Sequence, residues 1–318
     1  MNKVDVPPEN GLQDLNETIA DPPAWLVAAL GVPRKQGEAV SDGCTLRTYS
    51  WGDPAKPGLI LLHGFLAHSR CFGFIAPFLA KDYHVVTFDF SGMGDSGTRH
   101  IYPDDLRVAE VVDVAEQSGL FANGRKPTII AHSYGGGVGL HVMEAASEKF
   151  AGLVVCDLMT MRPERLQAHF ENRRPPGSQD PNRPNKIYPD FETAKGRFVL
   201  SPPQPCGVPA LFDYMAYHSL QQVEGGYSWK FDPSVFRRED VGEDRWMRQG
   251  ERLVAAPGRM AIVYGEDSVL FNDDSAAYVR ELGGKMPIIG IPHAGHHLML
   301  DQPIAFVAAL RSILALWA

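Results

Sequence analysis

Six short runs of apolar, largely β-branched residues recur along this chain, each closing at glycine, aspartate, serine, histidine or proline. They are 59–62 (LILL), 84–88 (HVVTF), 128–131 (TIIA), 153–156 (LVVC), 261–264 (AIVY) and 287–291 (PIIGI). A strand this continuously apolar has both faces covered, which is the habit of a parallel sheet. Between several of these runs lie patterns with apolar residues three and four apart, at 69–80, 103–117, 137–147, 274–282 and 303–317, the spacing of one helix face. Strand and helix therefore alternate, and the expected fold class is α/β, a doubly wound, mostly parallel sheet with right-handed crossovers. Ahead of them, 37–40 and 45–51 flank the turn Ser41-Asp42-Gly43-Cys44 and read as an antiparallel hairpin on the sheet edge. That makes eight strands.

The alternation stops at Asp157 and resumes near Pro257. A structureless loop of that length does not belong inside a compact domain. The segment also holds Phe170, Tyr188, Phe191, Tyr214 and Trp229, more aromatic surface than a disordered tract carries. The expected organisation is an N-terminal extension (1–36), an α/β core (37–157 and 258–318) and an inserted, partly helical cap (158–257). Within the cap, 173–185 (RRPPGSQDPNRPN) reads as mobile. In the extension, 23–30 reads as a short helix packed on the cap or a neighbour.

Charge and cysteine content exclude other classes. With 38 acidic against 30 basic side chains the net charge is −8, so no positive field draws in nucleic acid or an anionic membrane. Cys44, Cys71, Cys156 and Cys206 are scattered, without zinc-site spacing or a disulfide framework. His293, His296 and His297 lack the HExxH spacing of a metal helix, and no Walker or complete dinucleotide fingerprint is present. No cofactor or metal is expected. The polar, acidic start lacks the apolar core of a secretory signal, and no apolar stretch is long enough to span a bilayer. The expectation is a cytoplasmic protein acting on a small molecule, with no nucleic-acid or membrane partner and with homo-oligomerisation left open.

The chemistry centres on Ile130-Ala131-His132-Ser133-Tyr134-Gly135-Gly136, a buried strand, a serine among small residues, then a glycine-rich helix start. This is the nucleophile-elbow pattern with alanine at its first position; small residues are needed because strand and helix pass close together. Serine is a poor nucleophile without a base. His296 follows the last strand, which brings its loop to the sheet end that carries Ser133; neighbouring His297 is its rival. An acid must hold the imidazole tautomer. Asp267, after the 261–264 strand, is the first expectation, with Asp157 and Glu266 as competing carboxylates. Backbone N–H groups of Phe65 and Tyr134 are the expected oxyanion donors, Phe65 because His63-Gly64 ends the first long strand and turns the chain there. Arg162, Arg165, Arg173 and Arg174 are available to meet a substrate carboxylate, although a solvated face is their more ordinary role.

His63-Gly64-Phe65, the Asp89 to Ser96 loop (DFSGMGDS), Ala131-His132-Ser133-Tyr134-Gly135-Gly136, Gly265-Glu266-Asp267 and Ala294-Gly295-His296-His297 occur in that order. In this the chain resembles the α/β-hydrolase fold superfamily over about 38–157 and 258–318. The resemblance implies a Ser-His-acid hydrolase with a lid inserted after the sixth strand, similar to capped esterases and carbon–carbon bond hydrolases. Ser268 stands where many relatives carry their acid, with Asp267 one place early. Three functions are therefore carried forward. They are hydrolysis of an ester-like bond through an acyl-enzyme, carbon–carbon bond hydrolysis of ring-cleavage products, and a non-hydrolytic ligand-binding or cofactor-free oxygenase role.

Overall fold

A computed structural model describes residues 22–122, 124–171, 182–237 and 247–318. Most of the extension, Arg173, Arg174 and most of the 173–185 tract lie outside the described residues.

The elements run α1 (Ala24–Leu30), β1 (Lys35–Ser41), β2 (Cys44–Trp51), β3 (Gly58–Leu62), α2 (Ala76–Leu79), β4 (His84–Phe88), α3 (Asp104–Gln117), β5 (Thr128–His132), α4 (Tyr134–Ala146) and β6 (Gly152–Cys156). There follow α5 (Pro163–Glu171), α6 (Phe191–Lys195), α7 (Pro209–His218), the hairpin β7 (Leu220–Val223) and β8 (Gly226–Trp229), and α8 (Gln249–Ala255). The chain closes with β9 (Arg259–Gly265), α9 (Asp273–Glu281), β10 (Ile288–Ile291), α10 (Leu298–Asp301) and α11 (Pro303–Trp317).

Eight strands form one sheet in the order β1-β2-β4-β3-β5-β6-β9-β10, antiparallel at β1/β2 and β2/β4 and parallel thereafter. The reason for the unbroken apolar runs is visible strand by strand. Leu59 and Leu61 of β3, Ile130 of β5, Val154 of β6 and Val263 of β9 enter one core, which α1, α2 and α11 cover. Ile60 and Leu62, Ile129, Val155 and Ile262 enter the other, which α3 and α4 cover. Side chains alternate along a strand, and here both directions are interior.

Three local expectations need correction. The single helix expected over 69–80 is a 3-10 turn (Ser69–Phe72) followed by α2. Gly73 closes the turn, and a Cβ there would lie 3.1 Å from the Arg70 carbonyl; proline at position 77 then suits only a helix's first turn. Helix α4 begins at Tyr134 rather than 137; Gly135 packs against the end of β3, and Gly136 and Gly139 against β5 and β6. The β7–β8 hairpin was not expected. Its signal is Gly225-Gly226, both at positive φ (85° and 143°), the second residue of the Glu224-Gly225 turn and the first residue of β8. Helix α1 lies where a short helix was expected, docked on the core through Leu26 and Leu30, with Trp25 against Phe78. No helix among the described residues is long and apolar enough to cross a membrane.

Candidate active site

Sheet order reverses at β3. The next strand in sequence, β4, lies on one side of it and β5 on the other. The crevice beyond the carboxyl ends of two such strands is where an open α/β sheet accepts a ligand. His63-Gly64-Phe65 leave β3 at this point and Ser133 leaves β5.

Ser133 has φ 53° and ψ −118°, a conformation that side-chain-bearing residues avoid. Hydrogen bonds on both sides hold it: its N–H donates to the Cys156 carbonyl at 2.9 Å, and the Gly136 N–H donates to the Ser133 carbonyl at 2.8 Å. The close approach falls at Gly135, where a Cβ would sit 2.6 Å from the Leu62 carbonyl oxygen and 2.7 Å from that of His63. Tyr134 is the first residue of α4, so its N–H has no acceptor within the helix. Ser133, Tyr134, Phe65 and His296 all line one cavity of about 420 Å³.

His296 reaches this cavity from the loop between β10 and α10. Its backbone carbonyl accepts from His132 Nε2 at 2.9 Å, and the two rings lie 4.8 Å apart, so the residue preceding the serine anchors the incoming loop. Its Nδ1 donates to Asp157 Oδ1 at 2.8 Å. Asp157 follows β6 at positive φ and is fully buried. Its Oδ1 also accepts from Ser268 Oγ at 2.7 Å, and its Oδ2 accepts from the Gly265 N–H at 2.9 Å.

Asp267, the first-choice acid, is not brought to the imidazole. It is exposed, as is Glu266. The turn after β9, closed by the Ser268 N–H on the Gly265 carbonyl at 2.9 Å, aims residue 268 inward. That residue is a serine, and its hydroxyl supports the carboxylate that β6, the adjacent strand, supplies.

Burial lowers the His296 pKa well below the usual imidazole range. It raises that of Asp157, against the pull of the Ser268 and Gly265 donors. At neutral pH the imidazole is therefore uncharged, with its proton on Nδ1 for Asp157 and its lone pair on Nε2. His63 is structural: Nδ1–H donates to the Gly64 carbonyl at 2.8 Å, and Nε2 accepts from the Phe90 N–H at 3.1 Å. His297 is half-buried and absent from the cavity wall. Its N–H donates to Gln204 Oε1 at 3.0 Å.

A carboxylate that sequence reasoning missed, Asp301, secures the histidine loop. It accepts from the N–H groups of Gly295 (2.8 Å) and Gly207 (2.9 Å) and from Gln204 Nε2 (2.7 Å). No motif announces it, because its partners come from two separate stretches of chain, 204–207 and Gly295. Arg162 and Arg165 lie away from the cavity, paired with Asp274, Glu281 and Asn272.

Comparison with known proteins identifies the family and the fold. A family model described as "Alpha/beta hydrolase family" matches residues 59–310. The chain belongs to that family. It is 32% identical over 257 residues to the monoacylglycerol lipase ABHD6 of Rattus norvegicus, covering 78% of this chain and 72% of that protein. It is 25% identical over 268 residues to 2-hydroxy-6-oxo-6-(2'-aminophenyl)hexa-2,4-dienoic acid hydrolase of Metapseudomonas resinovorans, covering 81% and 83%. A thioesterase domain from the curacin biosynthetic pathway shares the fold, with TM-score 0.69 and 20% identity, covering 88% of this chain and 99% of its own. The family's members act on different bonds, so the reaction must be argued from the side chains.

Proposed function

We propose that this family member is a serine hydrolase that cleaves an ester-like bond in a small, largely apolar substrate. Ser133 is the nucleophile, His296 the base and Asp157 the acid. The observation that carries the reading is the buried His296–Asp157 hydrogen bond, which holds the imidazole proton on Nδ1 beside the cavity that Ser133 lines.

In this reading Ser133 Oγ attacks the carbonyl carbon while His296 Nε2 takes its proton. The negative oxygen that develops faces the N–H groups of Phe65 and Tyr134, donors of a kind worth roughly 2.7–4 kcal/mol each. His296 returns the proton to the leaving oxygen, and the acyl group stays on Ser133. Water, deprotonated by the same imidazole, then releases the acid. Asp157 keeps the Nδ1 tautomer and balances the imidazolium.

Residues 158–257 act as the lid in this proposal. Leu158, Met159, Pro202, Val235 and Gln249, all from that stretch, line the cavity and support the role. The four cysteines are free thiols, which suits a reducing cytoplasmic setting.

A fluorophosphonate probe followed by peptide mapping tests the reading. The label is expected on Ser133 and absent from Ser133→Ala; a folded wild-type protein that takes no label overturns it. A second reading, hydrolysis of a carbon–carbon bond, is favoured by similarity to the dienoic acid hydrolase and uses the same three side chains. Loss of a dienol absorbance without turnover of p-nitrophenyl esters selects it. Tight ligand binding by an unlabelled protein selects a non-hydrolytic role.

A further inference from the structure

The cavity beside Ser133 is more basic than the chain that builds it. The protein's net charge is −8, yet Arg107, Arg237 and Arg252 line this cavity against one carboxylate, Asp104, among the described residues. Two of the arginines are engaged elsewhere. Arg252 makes a two-pronged pair with Glu144 at 2.9 Å, and Arg237 donates to Asn182 at 2.6 Å.

Arg107 differs. It is fully buried, and its guanidinium lies between the rings of Phe90 (5.3 Å) and Tyr102 (4.9 Å), an arrangement that fixes its plane. Nε donates to Tyr134 Oη at 3.0 Å, and Nη1 donates to the Ser91 carbonyl at 3.0 Å and to Glu110 at 2.8 Å. Nη2 has no partner among the described residues. Glu110 is shared, since Arg99 also approaches it at 3.4 Å; the other acid near Arg99, Asp42, is largely exposed and screened. Arg99 and Arg107 thus share one buried glutamate, so Arg107 does not have that counter-charge to itself.

On the cavity's lid side, Gln249 repeats the pattern. It is 3% exposed, its Oε1 lies 3.5 Å from Arg252 Nη1, and its Nε2 has no partner among the described residues. Buried donors in native proteins are nearly always satisfied. Arg107 and Gln249 both line this cavity, and each carries a buried donor, one of them cationic, with no partner among the described residues; an anionic ligand in the cavity is an acceptor that suits both.

We infer that Arg107 and Gln249 form an acid subsite, and that the substrate attacked by Ser133 carries a carboxylate which occupies it. The inference deepens the serine-hydrolase reading and rests on it. Two free donors and one positive charge match the two oxygens and single charge of a carboxylate; a phosphate dianion brings a third oxygen and a second charge with nothing free to meet them. The apolar wall formed by Phe65, Val138, Leu158, Val235 and Leu270 suits the span between the held acid and the reacting carbonyl. Arg107 bonds the side chain of Tyr134, the residue after the nucleophile, so the acid end is registered against the elbow.

The test uses a matched pair of esters, p-nitrophenyl pentanoate and mono-p-nitrophenyl glutarate, in which a terminal methyl is exchanged for carboxylate. Wild-type kcat/KM is expected to favour the glutarate ester by about tenfold or more, the worth of one charge-assisted hydrogen bond. Gln249→Leu and Arg107→Lys should each lower that preference about tenfold, mainly through KM for the acid ester. Free glutarate should raise the melting temperature of wild type and not of Gln249→Leu. Arg107→Lys is checked by near-UV circular dichroism, and Gln249→Leu carries the test if that variant misfolds. Equal turnover of both esters, with no effect of Gln249→Leu on their ratio and no glutarate stabilisation, overturns the subsite. Glutarate stabilisation that Gln249→Leu abolishes, in a protein that hydrolyses neither ester, upholds the subsite and rejects the hydrolase reading instead.

Discussion

Replacing Asp157 with asparagine keeps the side-chain shape and changes what its atoms can do. The carboxylate accepts three hydrogen bonds, from His296 Nδ1 and Ser268 Oγ on Oδ1 and from the Gly265 N–H on Oδ2. Asparagine has one accepting oxygen. The Gly265 N–H can only donate, so the amide oxygen settles there and the NH₂ group faces His296 and Ser268. Ser268 adapts by rotating its hydroxyl. His296 adapts only by moving its proton from Nδ1 to Nε2, which removes the lone pair that Ser133 needs. A wrong-tautomer trap of this kind costs about 10⁴-fold in kcat, or roughly 5 kcal/mol of barrier. Stability should fall by only about 1 kcal/mol, one neutral hydrogen bond replacing a charged one. The assay is p-nitrophenyl ester hydrolysis with a thermal melt on the same samples, and Asp267→Asn is the control, expected to stay within about twofold of wild type. Asp157→Asn that keeps more than about a tenth of wild-type kcat, or Asp267→Asn that loses as much as Asp157→Asn, refutes the reasoning.

Gly135→Ala places a methyl 2.6 Å from the Leu62 carbonyl oxygen, and since backbone yields little the elbow must shift; a loss of about 1–3 kcal/mol is expected in chemical denaturation, with kcat falling more than tenfold. Asp301→Ala strands the N–H groups of Gly295 and Gly207, and an activity loss well beyond a destabilisation of about 1–3 kcal/mol, from the freed His296 loop, is the expected outcome in paired kinetics and melts. Burial lowers the pKa of both His63 and His68 to about 4. The unfolded chain therefore binds more protons than the native one between about pH 6.5 and 4, and stability, complete above that window, falls as pH drops through it by up to about 3 kcal/mol per histidine. A melting temperature that stays flat from about pH 7 to 4.5 contradicts this assignment.

Strand identity, the position of the elbow and the histidine loop were legible because each depends on neighbours in sequence. The run TIIA followed by His132-Ser133-Tyr134-Gly135-Gly136 announces a buried strand and a turn too tight for side chains; Gly135 against Leu62 supplies the contact that makes glycine necessary. The acid was not legible in the same way. Asp267 and Asp157 both close parallel strands, and the choice between them turns on which way each residue points after its strand ends. The hairpin within 158–257 carries a local signal in its glycine pair, whereas the Asp301 clamp carries none, since it is made by contacts among distant segments.

Local chemistry thus determined that this chain forms a two-faced parallel sheet with a strained serine at one strand end and a histidine in the last loop. Backbone sterics and side-chain alternation act over a few residues, and a sequence displays them directly. Tertiary structure alone decided that Asp157 rather than Asp267 meets His296, and that Arg107 lies stacked and partly unsatisfied beside the cavity. Those outcomes depend on the relative placement of β6, β9, α3 and α8, groups up to 139 residues apart in the case of His296 and Asp157. Hydrogen bonds and charge interactions decay over a few ångströms in space, and no spacing along the chain encodes which distant groups that range will include.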